Sequence, residues 1–186
     1  KGAQPPEAIA HPSVEQFKQY QAAAKGLIRY ITLAPEHDTD YALTHYCRDN
    51  GVVVSIGHSA ASYEQGLQAV AEGARSMTHV YNGMTPLHHR KPGLVGLALT
   101  QSDLYGEIIA DGCHLPANIL RHCYRSIGTN RLALITDSMR GAGMPDGPSM
   151  LGHWKNGLET IIEDGVAKLP DRTSFAGSVA TFDRLV

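Results

Sequence analysis

The chain has 186 residues, of which 42% are hydrophobic and 18% charged, and its formal net charge is −2. This composition is that of one ordinary globular domain and excludes a disordered chain. The balanced charge argues against nucleic acid as a partner, and no apolar run approaches the roughly 20 residues of a membrane span. Three cysteines without a CxxC pair favour a reducing compartment, so we expect a soluble, cytoplasmic protein.

Strand-like and helix-like segments alternate along the chain. The predicted helices are 14–25, 39–50, 63–72 and 116–128, with Asp38 or Thr39 as the cap of the second one. Ser13 and Ser62 each stand three residues before a Gln, which is the spacing of a capping box at a helix start. Short apolar, β-branched runs between these helices predict the strands 27–33, 52–56, 76–80, 106–110 and 132–136.

The alternation predicts an α/β fold with a parallel sheet. Five strands are too few to close an eight-stranded barrel, which typically needs about 250 residues. The competing architecture is an open doubly wound sheet, which is disfavoured because no GxGxxG turn follows the first strand. The long segment THVYNGMTPLHHRKPGLVG after the third strand is predicted to be a loop. Short alternating runs at 159–162 and 166–169 predict a small β structure after the parallel sheet.

Polar residues with catalytic chemistry follow the predicted strands. Each one lies at or just past the end of a strand, and together they are Glu36, His58, His79, Asp111, His114 and Asp137. In a barrel of parallel strands these ends form the single face on which active sites are built. A helix cap or a satisfied polar side chain is the ordinary alternative for any one of them, but the set predicts an active face.

The two histidines that follow neighbouring strands, His58 and His79, suit a divalent metal such as Zn²⁺ or Fe²⁺. A catalytic zinc site has about three protein ligands, so a third must come from Glu36, from Asp137 or from sequence outside this chain. Asp137 is placed to activate water as a general base and to return the proton to a leaving group. These residues favour metal-assisted hydrolysis as the reaction class.

A basic cluster occupies residues 88–91, with the sequence HHRK, on the long segment after the third strand. Such a loop can grip an anion such as phosphate, and the alternative is a solvated basic turn. Asn82 and Gly83 lie earlier on the same segment and can offer amide and backbone contacts to a polar ligand. The segment therefore predicts a site for a phosphorylated substrate on the active face.

Eight short motifs stand in the order and at about the spacing of a known family: KGAQP, TLAPE, GHSAASYEQ, THVYNGM, HHRKPGLVG, IADGCHL, ITDSMRGAG and SFAGS. On these motifs the chain resembles the N-acetylglucosamine-6-phosphate deacetylases of the amidohydrolase superfamily. The resemblance implies a metal-dependent (β/α)₈ barrel with a small β-sandwich, of which residues 1–186 are the central and C-terminal part. It also implies hydrolysis of N-acetylglucosamine 6-phosphate to glucosamine 6-phosphate and acetate, in amino-sugar catabolism.

The same resemblance implies a role for each matching residue. His58 and His79 are metal ligands, for one or two zinc or iron ions, and Asp137 is the catalytic acid and base. The family's other ligands, a Glu and an HxH pair, are expected upstream of KGAQP, so Glu36 is expected to support the site and not to bind metal. Arg90 is expected to bind phosphate across the interface of a homodimer. The implied contacts to the sugar are Ala3, Gln4, Asn82, Gly83, His114, Phe175, Ala176 and Gly177.

Two other functions stay open at this stage. An N-acetylgalactosamine-6-phosphate deacetylase would share every motif used above, so the sequence does not separate the two epimers. Without the expected upstream ligands, the chain can also be a non-catalytic fragment that keeps only a sugar-phosphate pocket. The chain departs from the family pattern at Lys91, Cys113 and Ser138, which bear on substrate tuning more than on reaction class.

Overall fold

A five-stranded parallel sheet forms the centre of the computed structural model, which describes residues 2–153 and 155–186. Its strands are β1 Tyr30–Leu33, β2 Val53–Ile56, β3 Ser76–Met77, β4 Tyr105–Ile108 and β5 Leu132–Leu134. They pair in chain order, and every pair is parallel. A doubly wound sheet reverses its strand order at one point, so this order rules out that alternative for the five strands. The predicted α/β fold with a parallel sheet is confirmed.

Helices connect the strands and begin largely where the sequence predicts. They are α1 Val14–Ala23, α2 Ala42–Asp49, α3 Tyr63–Glu72, α4 Gly93–Thr100 and α5 Ala117–Ile127. The Ser62 hydroxyl accepts a hydrogen bond from the backbone of Gln65, whose side chain accepts one from the Ser62 backbone, so the predicted capping box is present. At the start of α2, the buried carboxylate of Asp38 accepts the backbone N–H of Leu43 and Thr44. Asp38 therefore holds the first turn of α2, but this helix begins at Ala42 with Tyr41 as its cap residue, three residues later than predicted.

Helix α4 is the clearest departure, because the sequence analysis predicts a loop there. Its residues 93–99 are all buried, so the helix has no polar face and shows no amphipathic period. Gly66 of α3 packs closely against it, since an added Cβ at that position would lie 2.7 Å from Leu94 Cδ2. A fully buried helix that carries two glycines lacks the pattern by which helices are found in a sequence.

A second, smaller sheet follows the parallel sheet. It has three antiparallel strands in the order β6 Gly147–Leu151, β7 Leu158–Glu163 and β8 Val166–Lys168, and the short helix α6 Phe182–Leu185 comes after it. The runs predicted at 159–162 and 166–169 are confirmed as β7 and β8, whereas β6 was not predicted. Within the residues that the structure describes, no helix is long and apolar enough to cross a membrane.

The two faces of the parallel sheet differ in character. The helices cover one face with a buried apolar core that includes Val54, Ile56, Met77, Leu94 and Leu97. The opposite face carries hydroxyl groups that bond across the strands. The hydroxyl of Thr78 lies 2.8 Å from that of Thr32 and 2.6 Å from that of Ser55. The predicted site residues lie just beyond the C-terminal ends of these strands.

Candidate active site

His58 and His79 meet just beyond the ends of β2 and β3. Their Nε2 atoms lie 2.9 Å apart, and the two rings stand at 80° to each other. His79 is only 4% exposed, and its Nδ1 is buried without a hydrogen-bond partner among the described residues. A structural histidine normally has its buried nitrogens paired. Two imidazoles from neighbouring strands whose Nε2 atoms lie this close fit the pair of histidine ligands of a divalent metal.

The pair by itself supplies only two ligands. Across residues 2–153 and 155–186, no group of three or more His, Cys, Asp or Glu side chains is arranged to hold a metal ion. A catalytic zinc site normally has three protein ligands. Among the described residues, the histidines therefore fit two positions of such a site.

Glu36 supports the segment that follows His58. Its carboxylate accepts hydrogen bonds from the Ser59 hydroxyl and from the backbone N–H of Ala60, each at 2.6 Å. The Ser59 backbone N–H donates to the carbonyl of Gly83 at 3.0 Å. Both carboxylate oxygens of Glu36 are thus used in fixing the chain next to His58. This contact is the supporting role that the sequence analysis expects for Glu36.

The backbone is strained at the three residues predicted to bind metal and transfer protons. The φ angles are 48° at His58, 34° at His79 and 49° at Asp137. Positive φ is uncommon for residues other than glycine and costs of order 1–3 kcal/mol at each position. Six other non-glycine residues of the described chain also have positive φ, so this strain is shared by the three predicted residues but is not confined to them.

Two glycines enclose the ring of His58. An added Cβ at Gly2 would lie 3.1 Å from Cε1 of that ring, and an added Cβ at Gly83 would lie 3.2 Å from its Nδ1. Both glycines have positive φ, 57° and 58°. The KGAQ segment and the turn after His79 therefore pack closely against the imidazole, and the positive φ at both positions favours glycine.

A cavity of about 820 Å³ opens beside the histidine pair, within the size range of small-molecule sites. Among the predicted site residues, those that line it are Gln4, His58, His79 and Asp137. The other predicted substrate contacts do not line this cavity: Ala3, Asn82, Gly83, Arg90, His114, Phe175, Ala176 and Gly177. The structure thus brings the predicted ligands and the predicted acid/base to one space.

His114 and Asp111 form a second cluster after β4. His114 Nδ1 lies 2.8 Å from Asp111 Oδ2, and their side chains are 4% and 0% exposed. Burial alone would raise the pKa of Asp111, but hydrogen bonds from the backbone and side chain of His114 and from the backbone of Cys113 lower the pKa overall. The Phe175 ring packs edge-on against His114, with the centroids 5.0 Å apart. Two residues predicted to contact the sugar are therefore neighbours.

The SFAGS turn links this cluster to Asp137. The backbone N–H of Ser178 donates to the Asp137 carbonyl at 2.9 Å, and that of Met139 donates to the Ser178 carbonyl at 2.8 Å. Gly177 has a φ of 77°, and an added Cβ there would lie 3.4 Å from the Asp137 carbonyl oxygen. Ala176 is fully buried. The turn is thus fixed on the backbone of the predicted acid/base.

Arg90 lies apart from both clusters. It is exposed, on a tight turn in which its backbone N–H donates to His88 Nδ1 at 3.2 Å. The His88 and Lys91 backbones pair across the same turn. The basic run is thus an exposed turn in the single chain, and a phosphate role for Arg90 stays a prediction.

Comparisons with known proteins agree with the resemblance seen in the motifs. No protein-family profile matches the sequence. The chain is 40% identical over 178 residues to the N-acetylglucosamine-6-phosphate deacetylase of Bacillus subtilis, covering 96% of this chain and 44% of that protein. It is 37% identical over 186 residues to the N-acetylgalactosamine-6-phosphate deacetylase of Escherichia coli O157:H7, covering all of this chain and 48% of that protein.

The fold of the chain is also similar to that of a solved deacetylase structure. That structure is an aspartate-to-alanine mutant of N-acetyl-D-glucosamine-6-phosphate deacetylase from Mycobacterium smegmatis, in complex with N-acetyl-D-glucosamine 6-phosphate. The TM-score is 0.93 at 34% identity, and the match covers 99% of this chain and 47% of that one. The chain thus spans about half the length of the relatives it matches. Its predicted resemblance to the N-acetylglucosamine-6-phosphate deacetylases is confirmed in sequence and in fold.

Proposed function

We propose that this chain is the central and C-terminal part of a metal-dependent deacetylase that converts N-acetylglucosamine 6-phosphate to glucosamine 6-phosphate and acetate. The observation that carries the proposal is the meeting of His58, His79 and Asp137 at one cavity, each with a strained backbone. The names of the similar proteins point to the same substrate.

The fold proposal follows from the strand order. Parallel strands that pair consecutively are the arrangement of a (β/α)₈ barrel, and β1 and β5 are the outer strands of the five-stranded sheet. We infer that further barrel strands add at these two edges. The three-stranded antiparallel sheet is in turn part of a small β-sandwich. Both inferences agree with the share of the related proteins that this chain covers.

In the proposed reaction, His58 and His79 would hold part of the coordination shell of a divalent metal such as zinc or iron. The bound metal would supply Lewis-acid polarisation of the amide carbonyl and a lower pKa for the attacking water. The oxygen of that water forms a bond to the carbonyl carbon while Asp137 accepts a proton from it. The carbon–nitrogen bond then breaks as Asp137 passes this proton to the departing amine. The products are acetate and the free amino sugar phosphate, and the Asp137 carboxylate is regenerated.

We assign the substrate contacts as the resemblance implies. His114, packed on Phe175, lies beside the N-acetyl group, and the contacts around the sugar are Ala3, Gln4, Asn82, Gly83, Ala176 and Gly177. Arg90 binds the phosphate of a substrate held in the partner subunit of a homodimer. This arrangement accounts for the exposure of Arg90 in the single chain and for its position outside the cavity.

Two other functions are supported by specific observations. The match to an N-acetylgalactosamine-6-phosphate deacetylase over the whole chain favours the galactosamine epimer as a second substrate candidate. The presence of only two converging metal ligands in the described residues favours a non-catalytic fragment that binds sugar phosphates. For location we propose the cytoplasm, since the three cysteines are unpaired, and neither nucleic acid nor membrane is a proposed partner.

The test is acetate release by the purified full-length protein from each sugar phosphate, with the metal content of the same sample determined. We expect turnover of N-acetylglucosamine 6-phosphate with at least one zinc or iron ion per subunit. If the protein turns over N-acetylgalactosamine 6-phosphate faster, that sugar phosphate is the substrate instead. Binding of both sugar phosphates without any acetate release, despite bound metal, would overturn the proposal.

A further inference from the structure

Two backbone N–H groups and one imidazole nitrogen surround the buried Asp111 carboxylate. Oδ1 lies 2.9 Å from the backbone nitrogen of Cys113 and 2.8 Å from that of His114. Oδ2 lies 2.8 Å from Nδ1 of the His114 ring. The Asp111 side chain is 0% exposed, so no solvent contact competes with these bonds.

This geometry decides which ring nitrogen of His114 carries a proton. An ionised carboxylate accepts hydrogen bonds and cannot donate them. The bonds described above hold the pKa of Asp111 below its usual value, so the group is ionised at neutral pH. Since Oδ2 can only accept, Nδ1 of His114 must be the donor, and the identity of the protonated nitrogen follows from its neighbour.

The other nitrogen of the ring is in a different position. Nε2 of His114 has no hydrogen-bond partner in residues 2–153 and 155–186, and the ring lies edge-on to Phe175. In the neutral ring Nε2 is an acceptor, and in the charged ring it is a donor.

We propose that Asp111 is a positioning residue that fixes the tautomer of His114, so that the neutral ring offers the lone pair of Nε2 to the substrate. This lone pair can accept a hydrogen bond from a donor on the substrate, such as the N–H of the N-acetyl group. This last step rests on the proposed function, whereas the tautomer itself does not.

Asp111→Asn gives a sharp test, because the two backbone amides determine how the new side chain must lie. Both amides donate, so the Asn oxygen has to face them, as Oδ1 of Asp111 does. The Asn amino group then faces Nδ1 of His114, where it can only donate. Nδ1 must become the acceptor, and the proton of the neutral ring moves to Nε2. The loop keeps its backbone bonds while the tautomer is reversed.

The measurement is the ¹⁵N NMR spectrum of the imidazole nitrogens in the full-length protein with ¹⁵N-labelled histidine, and the His114 signals are identified by their loss in His114→Gln. We expect Nδ1 of His114 to carry the proton in the wild type and Nε2 to carry it in Asp111→Asn. The control is Asp103→Asn, at an exposed position, which should keep the proton on Nδ1. A neutral wild-type ring with its proton on Nε2 would overturn the proposal even if the Asn variant failed to fold. An unchanged tautomer in a folded Asp111→Asn protein would do so as well.

Kinetics separate this inference from the proposed function. In Asp111→Asn, Nε2 of His114 changes from an acceptor to a donor, so we expect KM for the accepted sugar phosphate to rise about 10-fold. This is within the range for an unsatisfied buried polar contact. The KM of the Asp103→Asn control should equal that of the wild type. A reversed tautomer with wild-type KM would overturn the contact between Nε2 and the substrate. Absence of activity in the wild type would overturn the proposed function and leave the tautomer result standing.

Discussion

Glu36 accepts the hydroxyl hydrogen of Ser59 across 2.6 Å, although the two residues are 23 positions apart in the chain. The same carboxylate accepts the backbone N–H of Ala60. Ser59 directly follows His58, so the position of this proposed metal ligand depends on a residue at the end of a neighbouring strand. In metalloproteins, loss of a partner that orients a ligand typically weakens metal binding about 10- to 100-fold.

We therefore expect Glu36→Ala to lower metal affinity by that factor and the free energy of unfolding by about 1–3 kcal/mol, since two charge-assisted hydrogen bonds are lost. Metal titration and chemical denaturation of the full-length protein measure the two effects. Asp103→Ala, at an exposed position, is the control and should shift stability by less than about 0.5 kcal/mol. Wild-type metal affinity in Glu36→Ala would show that the contact does not position His58.

The histidine pair makes a stronger prediction. If His58 and His79 bind metal directly, His58→Gln and His79→Gln should each reduce metal affinity by more than the roughly 100-fold expected for a supporting residue. Metal content after dialysis against a chelator is the measurement. His122→Gln changes an exposed histidine and should keep the wild-type content. Full metal retention in both site variants would remove the histidines from the metal site.

Asp111 should make stability depend on pH in acid. Its pKa is lowered in the folded protein and is about 3.9 in an unfolded chain, so the stability it contributes is complete above about pH 4. That contribution is lost as the pH falls through the lowered folded pKa. Asp111→Asn should be less stable than the wild type at pH 7 by about 1–2 kcal/mol, and the gap should narrow below pH 4. A constant gap between pH 7 and pH 3 would contradict this.

The cysteines should differ sharply in reactivity. Burial, with a smaller effect from the charge of Asp38, raises the pKa of Cys47 to about 11. Burial likewise raises the pKa of Cys123, and both side chains are fully buried. Cys113 is partly exposed, so iodoacetamide at pH 7.5 should label it first and reach the other two only after unfolding. Peptide mass analysis of native protein checks this, and rapid labelling of Cys47 would be the contrary result.

Much of the fold follows from local patterns in the sequence. Helix α3 has the predicted bounds, because Ser62 and Gln65 form a complete capping box. The strands lie within or close to their predicted ranges, although β3 has only two residues, since the chain leaves the ladder just before His79. Helix α4 was missed because its burial on all sides removes the alternation of polar and apolar residues that marks a surface helix.

The site could be predicted only in part. The strand-end positions predict that His58, His79 and Asp137 lie together, because parallel strands deliver their ends to one face, and all three line one cavity. Glu36 has the same strand-end position, and its contacts with Ser59 and Ala60 agree with the supporting role that the family resemblance implies. The contact between Asp111 and His114 is not predicted either, although their spacing of three residues is visible in the sequence. The contacts of Glu36 join segments that are 23 residues apart, and a linear pattern does not record them.

The most direct test of the account is the turnover of N-acetylglucosamine 6-phosphate by the full-length protein and by its Asp137→Asn variant, with metal content measured in both. General acid and base catalysis typically contributes 10²- to 10⁴-fold, so we expect kcat to fall at least about 100-fold while the metal is retained. Unchanged turnover in a metal-loaded Asp137→Asn protein would contradict the assignment of Asp137 as the proton-transfer group, and with it the proposed mechanism.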